Sequence, residues 1–225
     1  MRKVKSKSLL NKYIKKYQLQ GIFEDHLRGL IEVHEFEVGE LIIREGNMQA
    51  FYYFLVEGKA KVCPSSVEGQ VVLLDFMTPI DLIGDIEYVN ERENYHDVLA
   101  LKRTVLIAIP LDYVDKYLHD NVHFHRFVSS VMARKIMNTS LKFSRAMMYP
   151  LNVRFASYLL EHYEDELNQV ITVKFKEVAD YFGITARHLR RVMLDFETRG
   201  ILERKVGAIV VHDLDALKKE AKLMQ

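Results

Sequence analysis

After Pro110 the residue pattern turns helical and stays so for almost forty residues, to Pro150. Within that run Phe124, Val128, Val131, Met132, Ile136, Thr139 and Phe143 recur at helical spacing and form a broad, mainly apolar face. A helix that packs on one domain needs a narrower stripe. A face this wide predicts two neighbours, the helix's own domain and a second copy of the chain, so the helix from about Val122 to Met148 is expected to join a homodimer. Pro150 then disfavours helical geometry at the residue before it and marks a hinge.

The residues before this helix read as strands. "HEFEVGELIIREGN", "AFYYFLVEGKAKVC", "VVLLDFMTPIDLIGD" and "VLALKRTVLIAIP" are rich in β-branched and aromatic residues, punctuated by Gly39, Gly46, Gly58, Gly69 and Gly84. Short, regular spacing favours an antiparallel barrel-like or double-sheet fold. Strands do not alternate with long helices and no G-x-G-x-x-G occurs, which disfavours a dinucleotide-binding fold.

At 225 residues with 49% hydrophobic content, the chain has room for two packed units. Its apolar runs are far shorter than a membrane span. The N-terminal "MRKVKSKSLLNKYIKKYQLQ" is basic without a signal-like apolar stretch, and a transit peptide is disfavoured, so a cytoplasmic protein is expected. The lone Cys63 excludes an intrachain disulfide framework and reads as a small core residue. His119, His123 and His125 lie close in sequence, but nothing nearby completes a metal site, and no metal is expected.

The net charge of +1 says little about partners, whereas its distribution says more. From Thr185 to Lys205 the basic residues Arg187, Arg190, Arg191, Arg199, Arg204 and Lys205 outnumber the acidic Asp195, Glu197 and Glu203. "FKEVADYF" places Phe175, Val178, Ala179 and Phe182 on one helical face, and "GIT" follows as a tight turn with Thr185 as N-cap. The next helix turns Leu189, Val192, Met193 and Phe196 inward. Arg187 and Arg191 then point outward, with His188 and Arg190 on the flanks. "GILERKVGAIVV" adds two short strands around Gly207. This is a winged helix-turn-helix. Thr185, Arg187, His188, Arg190 and Arg191 are expected at the base edges or adjacent phosphates, and Arg204 and Lys205 at backbone phosphates.

Taken in order, "FEVGELIIREGN", "FYYFLVEGKAKV", "LIGDIEYV", "SSVMARKIMNTSLKFSRAMMYPLNVRFASYLL" and the terminal winged motif resemble the cyclic-AMP receptor protein/fumarate–nitrate regulator (Crp/Fnr) family of bacterial transcription factors over nearly the whole chain. The resemblance implies an α+β protein with an N-terminal antiparallel β-roll of the cyclic-nucleotide-binding jelly-roll type over residues 1–118. A dimerisation helix and hinge would follow over 119–149, and a winged helix-turn-helix DNA-binding domain over 150–225. It implies a non-enzymatic homodimer that binds double-stranded promoter DNA, with RNA polymerase as a partner if it activates.

Departures from that family bear on the effector. Its cyclic-nucleotide binders carry a Gly-Glu pair for the ribose and an Arg-Ser or Arg-Ala pair for the cyclic phosphate. Here the matching residues are Gly84 and Asp85, then Tyr95 and His96, while Thr139 and Ser140 match the adenine-contacting pair. With no arginine for the phosphate, cyclic AMP is not expected to switch the protein. Arg92, or filling of the cavity by Tyr88 and Tyr95, bears on the same point. Another small-molecule effector, none at all, or haem on a histidine all stay open. Arg187 stands where the family often carries a base-reading glutamate, so the operator is expected to differ. The competing reading is a cyclic-nucleotide-binding-like module that acts on a protein partner.

Overall fold

The computed structural model describes residues 1–4, 6–26, 28–63, 75–163 and 170–221. The chain separates into two compact units, Met1–Lys135 and Ile136–Gln225.

The first unit opens with β1 (Arg2–Val4) and α1 (Lys7–Lys16), followed by β2 (Glu32–Phe36), β3 (Leu41–Ile43), β4 (Phe51–Glu57) and β5 (Ala60–Cys63). Next come β6 (Asp75–Met77), β7 (Leu82–Ile83), α2 (Asp85–Asn90), β8 (Asp97–Ala100) and β9 (Thr104–Pro110). A short α3 (Leu111–Tyr113) runs into a π-helical turn at Val114–Leu118 and then the long α4 (Val122–Met148). Two antiparallel sheets result, in the orders β1-β2-β9-β4-β7 and β3-β8-β5-β6. Each continuous apolar run read from the sequence therefore divides between the sheets. "HEFEVGELII" supplies β2 to one and β3 to the other, "FYYFLVEGKAKVC" supplies β4 and β5, and "VLALKRTVLIAIP" supplies β8 and β9. Val71–Leu74 and the Gly69 break lie outside the described residues.

The strands β4 and β9 explain why no polar alternation marked this sheet. They pair with each other and are covered on both faces, so both residue sets are apolar. Tyr52, Phe54 and Val56, with Val105, Ile107 and Ile109, pack into a core shared with Leu10, Tyr13 and Ile14 of α1 and Phe124 and Val131 of α4. Tyr53 and Leu55, with Leu106 and Ala108, point into the other core, against Ile42, Ile43, Ala60, Met77, Val98 and Ala100 of the second sheet. The basic N-terminus is thus part of the fold. Ser6 caps α1 by accepting from the Leu9 N–H at 3.2 Å, and the helix buries its apolar stripe under its lysines.

This placement corrects the dimer face read from the sequence. Phe124 and Val131 are 2% and 0% exposed within their own unit's core, and Val128 packs partly against it. A helix seam cannot use side chains that its own sheet has already covered. From Ile136 onward the helix is exposed: Ile136 at 69%, Phe143 at 65% and Met147 at 73%.

The second unit continues with α5 (Leu151–Glu161), β10 (Val170–Thr172), α6 (Phe175–Tyr181), α7 (Ala186–Thr198), β11 (Leu202–Lys205), β12 (Ala208–Val211) and α8 (Leu214–Ala221). Its sheet runs β10-β12-β11, so the wing has a third strand that the sequence reading missed. Phe155 of α5 stacks on Phe196 of α7 with ring centroids 5.9 Å apart, at the centre of a core that also holds Val178, Ala179, Leu189, Met193, Ile209 and Leu217. Pro150 is the N-cap residue of α5, where its missing N–H costs no helical bond.

Candidate nucleic-acid interface and effector-type pocket

The DNA-facing candidates are set by one turn. Two residues beyond the α6 helix stands Gly183, whose φ of +63° is readily open to a residue without a Cβ. The Gly183 N–H donates to the Asp180 carbonyl and the Ile184 N–H to that of Ala179, both at 3.0 Å, which reverses the chain. Thr185 then caps α7, its hydroxyl accepting from the His188 N–H at 3.2 Å. That bond satisfies one otherwise orphaned donor and fixes the helix start. Leu189, Met193 and Phe196 are buried, and Val192 packs beside them.

The outward side carries the charge. Arg187, Arg190 and Arg191 are exposed, and His188 is half-buried. Among the described residues no carboxylate lies in ion-pair distance of these three arginines. Arg199 differs: its guanidinium meets Asp195 at 3.0 Å and Glu220 at 2.6 Å, which removes it from the basic surplus and leaves it a structural clamp between α7 and α8. The wing is tied to α7 by the Arg204 N–H donating to Glu197 at 2.9 Å, which leaves the Arg204 side chain exposed. Lys205, also exposed, lies 3.7 Å from Glu203. β11 and β12 pair up to Lys205 and Ala208, with Val206 and Gly207 as a two-residue turn. A capped helix end with unpaired guanidinium groups and a basic hairpin beside it is built to meet a phosphate-lined groove.

The effector-type residues of the first unit are arranged differently from what their sequence spacing suggests. Gly84 has φ of +86°, and a side chain there would overlap the Gln49 amide. That amide donates to the Phe51 carbonyl. Asp85, 2% exposed, is paired within the protein: Lys135 Nζ of α4 donates to both of its oxygens, at 2.9 and 2.8 Å, and to the Leu82 carbonyl at 2.8 Å. Tyr52 lies beside this pair, its hydroxyl buried without a partner. Burial first, and then the Asp85 charge, push that phenol far above its usual range. Tyr95 is exposed and its hydroxyl accepts from Arg92 at 3.3 Å, so a cation does stand near the position where a phosphate arginine was missed. Thr139 and Ser140 are exposed on α4.

A cavity of about 560 Å³ lies at Gln49 and Arg92, lined also by Glu87, Tyr88, Glu91, Asp115, His119 and His125 among others, and Asp85 and Tyr95 do not line it. Tyr88 packs edge-on against Tyr52 and donates to Asp115 at 2.5 Å; burial and that hydrogen bond push its phenol up to about 12. Its charged lining comprises the carboxylates Glu87, Glu91 and Asp115, the Arg92 guanidinium and the imidazoles of His119 and His125. The described residues bring no three histidine, cysteine or carboxylate side chains together in a metal-binding arrangement. Within the histidine cluster, a His125 ring nitrogen lies 2.5 Å from the His119 carbonyl. Cys63 is buried.

Lys135 and Gln49 went unnoticed in the sequence. The lysine interrupts an apolar helix face and precedes Thr139 by four residues, which was the available signal. Gln49 carried none.

A double-sheet β-roll followed by a winged helix-turn-helix defines a DNA-binding transcriptional regulator. Residues 33–121 match the cyclic nucleotide-binding domain family, and residues 153–220 match the Crp-like helix-turn-helix domain family. The chain belongs to the Crp/Fnr family of transcriptional regulators. It is 25% identical over 172 residues to the regulatory protein YeiL of Escherichia coli O157:H7, covering 76% of this chain and 77% of that one. It is 18% identical over 195 residues to a CRP-like cAMP-activated global transcriptional regulator of Mycobacterium tuberculosis, covering 84% and 87%. Among solved structures, a crp/fnr-family regulator from Eubacterium rectale superposes with a TM-score of 0.73 at 18% identity, over 91% of this chain and 97% of that one. No helix among the described residues is long and apolar enough to cross a membrane.

Proposed function

We infer that this protein is a homodimeric, sequence-specific promoter-binding regulator that does not depend on cyclic AMP. The observation that carries the reading is the outward face of α7, where Arg187, Arg190 and Arg191 stand exposed and without carboxylate partners behind a Thr185 cap. Such arginines donate bidentate pairs to guanine in the major groove. Dimerisation is supported by the bare helix face of Ile136, Thr139, Phe143 and Met147, which recur at helical spacing and stay exposed in one copy.

Independence from cyclic AMP rests on the internal pairing of Asp85. A nucleotide that used Asp85 would have to compete with Lys135 for a buried carboxylate already paired inside the protein, and neither Tyr95 nor His96 offers the phosphate an arginine. The mycobacterial relative is described as cAMP-activated, and this chain is read as having lost that response while keeping the roll. The protein acts on DNA in the cytoplasm, with RNA polymerase as the further partner if it activates.

Selection from a random duplex pool tests this reading. A pseudo-palindromic site with half-sites about 10–10.5 bp apart, or a multiple of that, is the expected product. Cyclic AMP titrated calorimetrically should give no micromolar binding and no gain in operator affinity. Enrichment of no sequence would favour instead a regulatory module that acts on a protein partner.

A further inference from the structure

The outward face of α7 holds one side chain that its charge does not explain. Leu194 is 61% exposed. It follows Arg187 by seven residues, Arg190 by four and Arg191 by three, so it lies on the same helical face, one to two turns further along. The core side, with Leu189, Met193 and Phe196, is opposite, and Leu194 takes no part in that cluster. An isolated exposed leucine needs no explanation. One that continues the helical face of three arginines without carboxylate partners is turned toward whatever those arginines meet.

We propose that Leu194 reads the C5-methyl group of a thymine in the major groove, a proposal that rests on the DNA-binding reading of α7. The methyl group is the one apolar feature on the major-groove edges of the base pairs, and an apolar side chain against it discriminates thymine from cytosine at the same position. Phosphates offer a leucine nothing, so its place in a groove is against the base edges, while the arginines around it take guanine edges or backbone. Along the helix Leu194 lies about 10 Å from Arg187 at 1.5 Å per residue. The thymine should therefore fall within about three base pairs of the base that Arg187 contacts, on the side toward which the C-terminal end of α7 points.

The test uses the full-length protein and the operator selected from the random pool. Each thymine in a half-site is replaced in turn by deoxyuridine, which removes the methyl group and keeps every hydrogen-bonding group. The parent protein should lose about fourfold in affinity at one position per half-site, the value of one apolar carbon's burial. Leu194→Ala, which removes the contact from both half-sites at once, should lose about the square of that value, roughly 15-fold, on the unmodified operator and show no further loss from deoxyuridine at that position, with an unchanged thermal melt. Equal sensitivity of parent and variant at every thymine, or unchanged operator binding by Leu194→Ala, would overturn the proposal. Operator binding that persists in either case leaves the DNA-binding reading standing. A parent protein that enriches no sequence removes both.

Discussion

Lys135 of the long helix places its ammonium 2.8 Å from one oxygen of Asp85 and 2.9 Å from the other, at the head of the α2 helix. Asp85 is almost fully buried and Lys135 partly so, with side-chain exposures of 3% and 25%. The pair fastens α4 to the roll.

Removing one partner should therefore cost more than removing both. Lys135→Met leaves a buried carboxylate uncompensated and is expected to destabilise the N-terminal unit by about 2–4 kcal/mol, somewhat under the full cost of breaking a buried pair because the lysine is partly wet. The double variant Asp85→Asn, Lys135→Met should recover a good part of that loss. Urea melts of parent, single and double variants measure it, and additive losses would mean that the two groups do not interact.

The exposed half of α4 predicts a division of labour among its apolar residues. Ile136→Asp combined with Phe143→Asp should convert a dimer into a folded monomer, since both side chains are bare in one copy. Val131→Asp should instead unfold the N-terminal unit, because that side chain is fully buried in the core beneath α1. Sedimentation of each variant beside its melting curve distinguishes the two effects. A parent protein that sediments as a monomer would refute the interface.

Readout and affinity should separate between the helix and the wing. Arg187→Ala should relax base preference and weaken operator binding by roughly 1–3 kcal/mol per half-site. Lys205→Ala, on the hairpin, should weaken specific and random DNA alike and flatten the salt dependence. If Arg187→Ala lowered both equally, Arg187 would be a phosphate contact.

Stability should also depend on His34. This side chain is fully buried, with one ring nitrogen 2.6 Å from Glu32 and the other 3.3 Å from the Tyr53 hydroxyl. Burial lowers its pKa, and the Glu32 carboxylate only partly reverses the effect. The unfolded chain thus takes up a proton at a pH where the folded chain does not. The stability involved is complete above the ordinary histidine value of about 6.5 and falls as the pH drops from there through the folded value. Thermal melts from pH 7.5 to 5 should show that decline, and His34→Gln should flatten it.

The winged motif was legible because its determinants are local. A glycine turn, a threonine cap and apolar residues at i, i+3, i+4 and i+7 specify α7 whatever surrounds it, and the outward place of Arg187 and Arg191 follows from helical periodicity alone. Strand content was legible from composition, and so was the long helix between two prolines. The division of those strands between two sheets was not: β4 and β9 are covered on both faces, so their uniform apolarity carries no sign of which residue enters which core. Nor could one sequence say that Phe124 and Val131 face their own roll while Ile136 and Phe143 stay bare, since both pairs have the same chemistry and spacing. Lys135 and Asp85 lie fifty residues apart. Only the packing of α4 against the head of α2 brings their opposite charges together, and no local motif encodes that long-range contact.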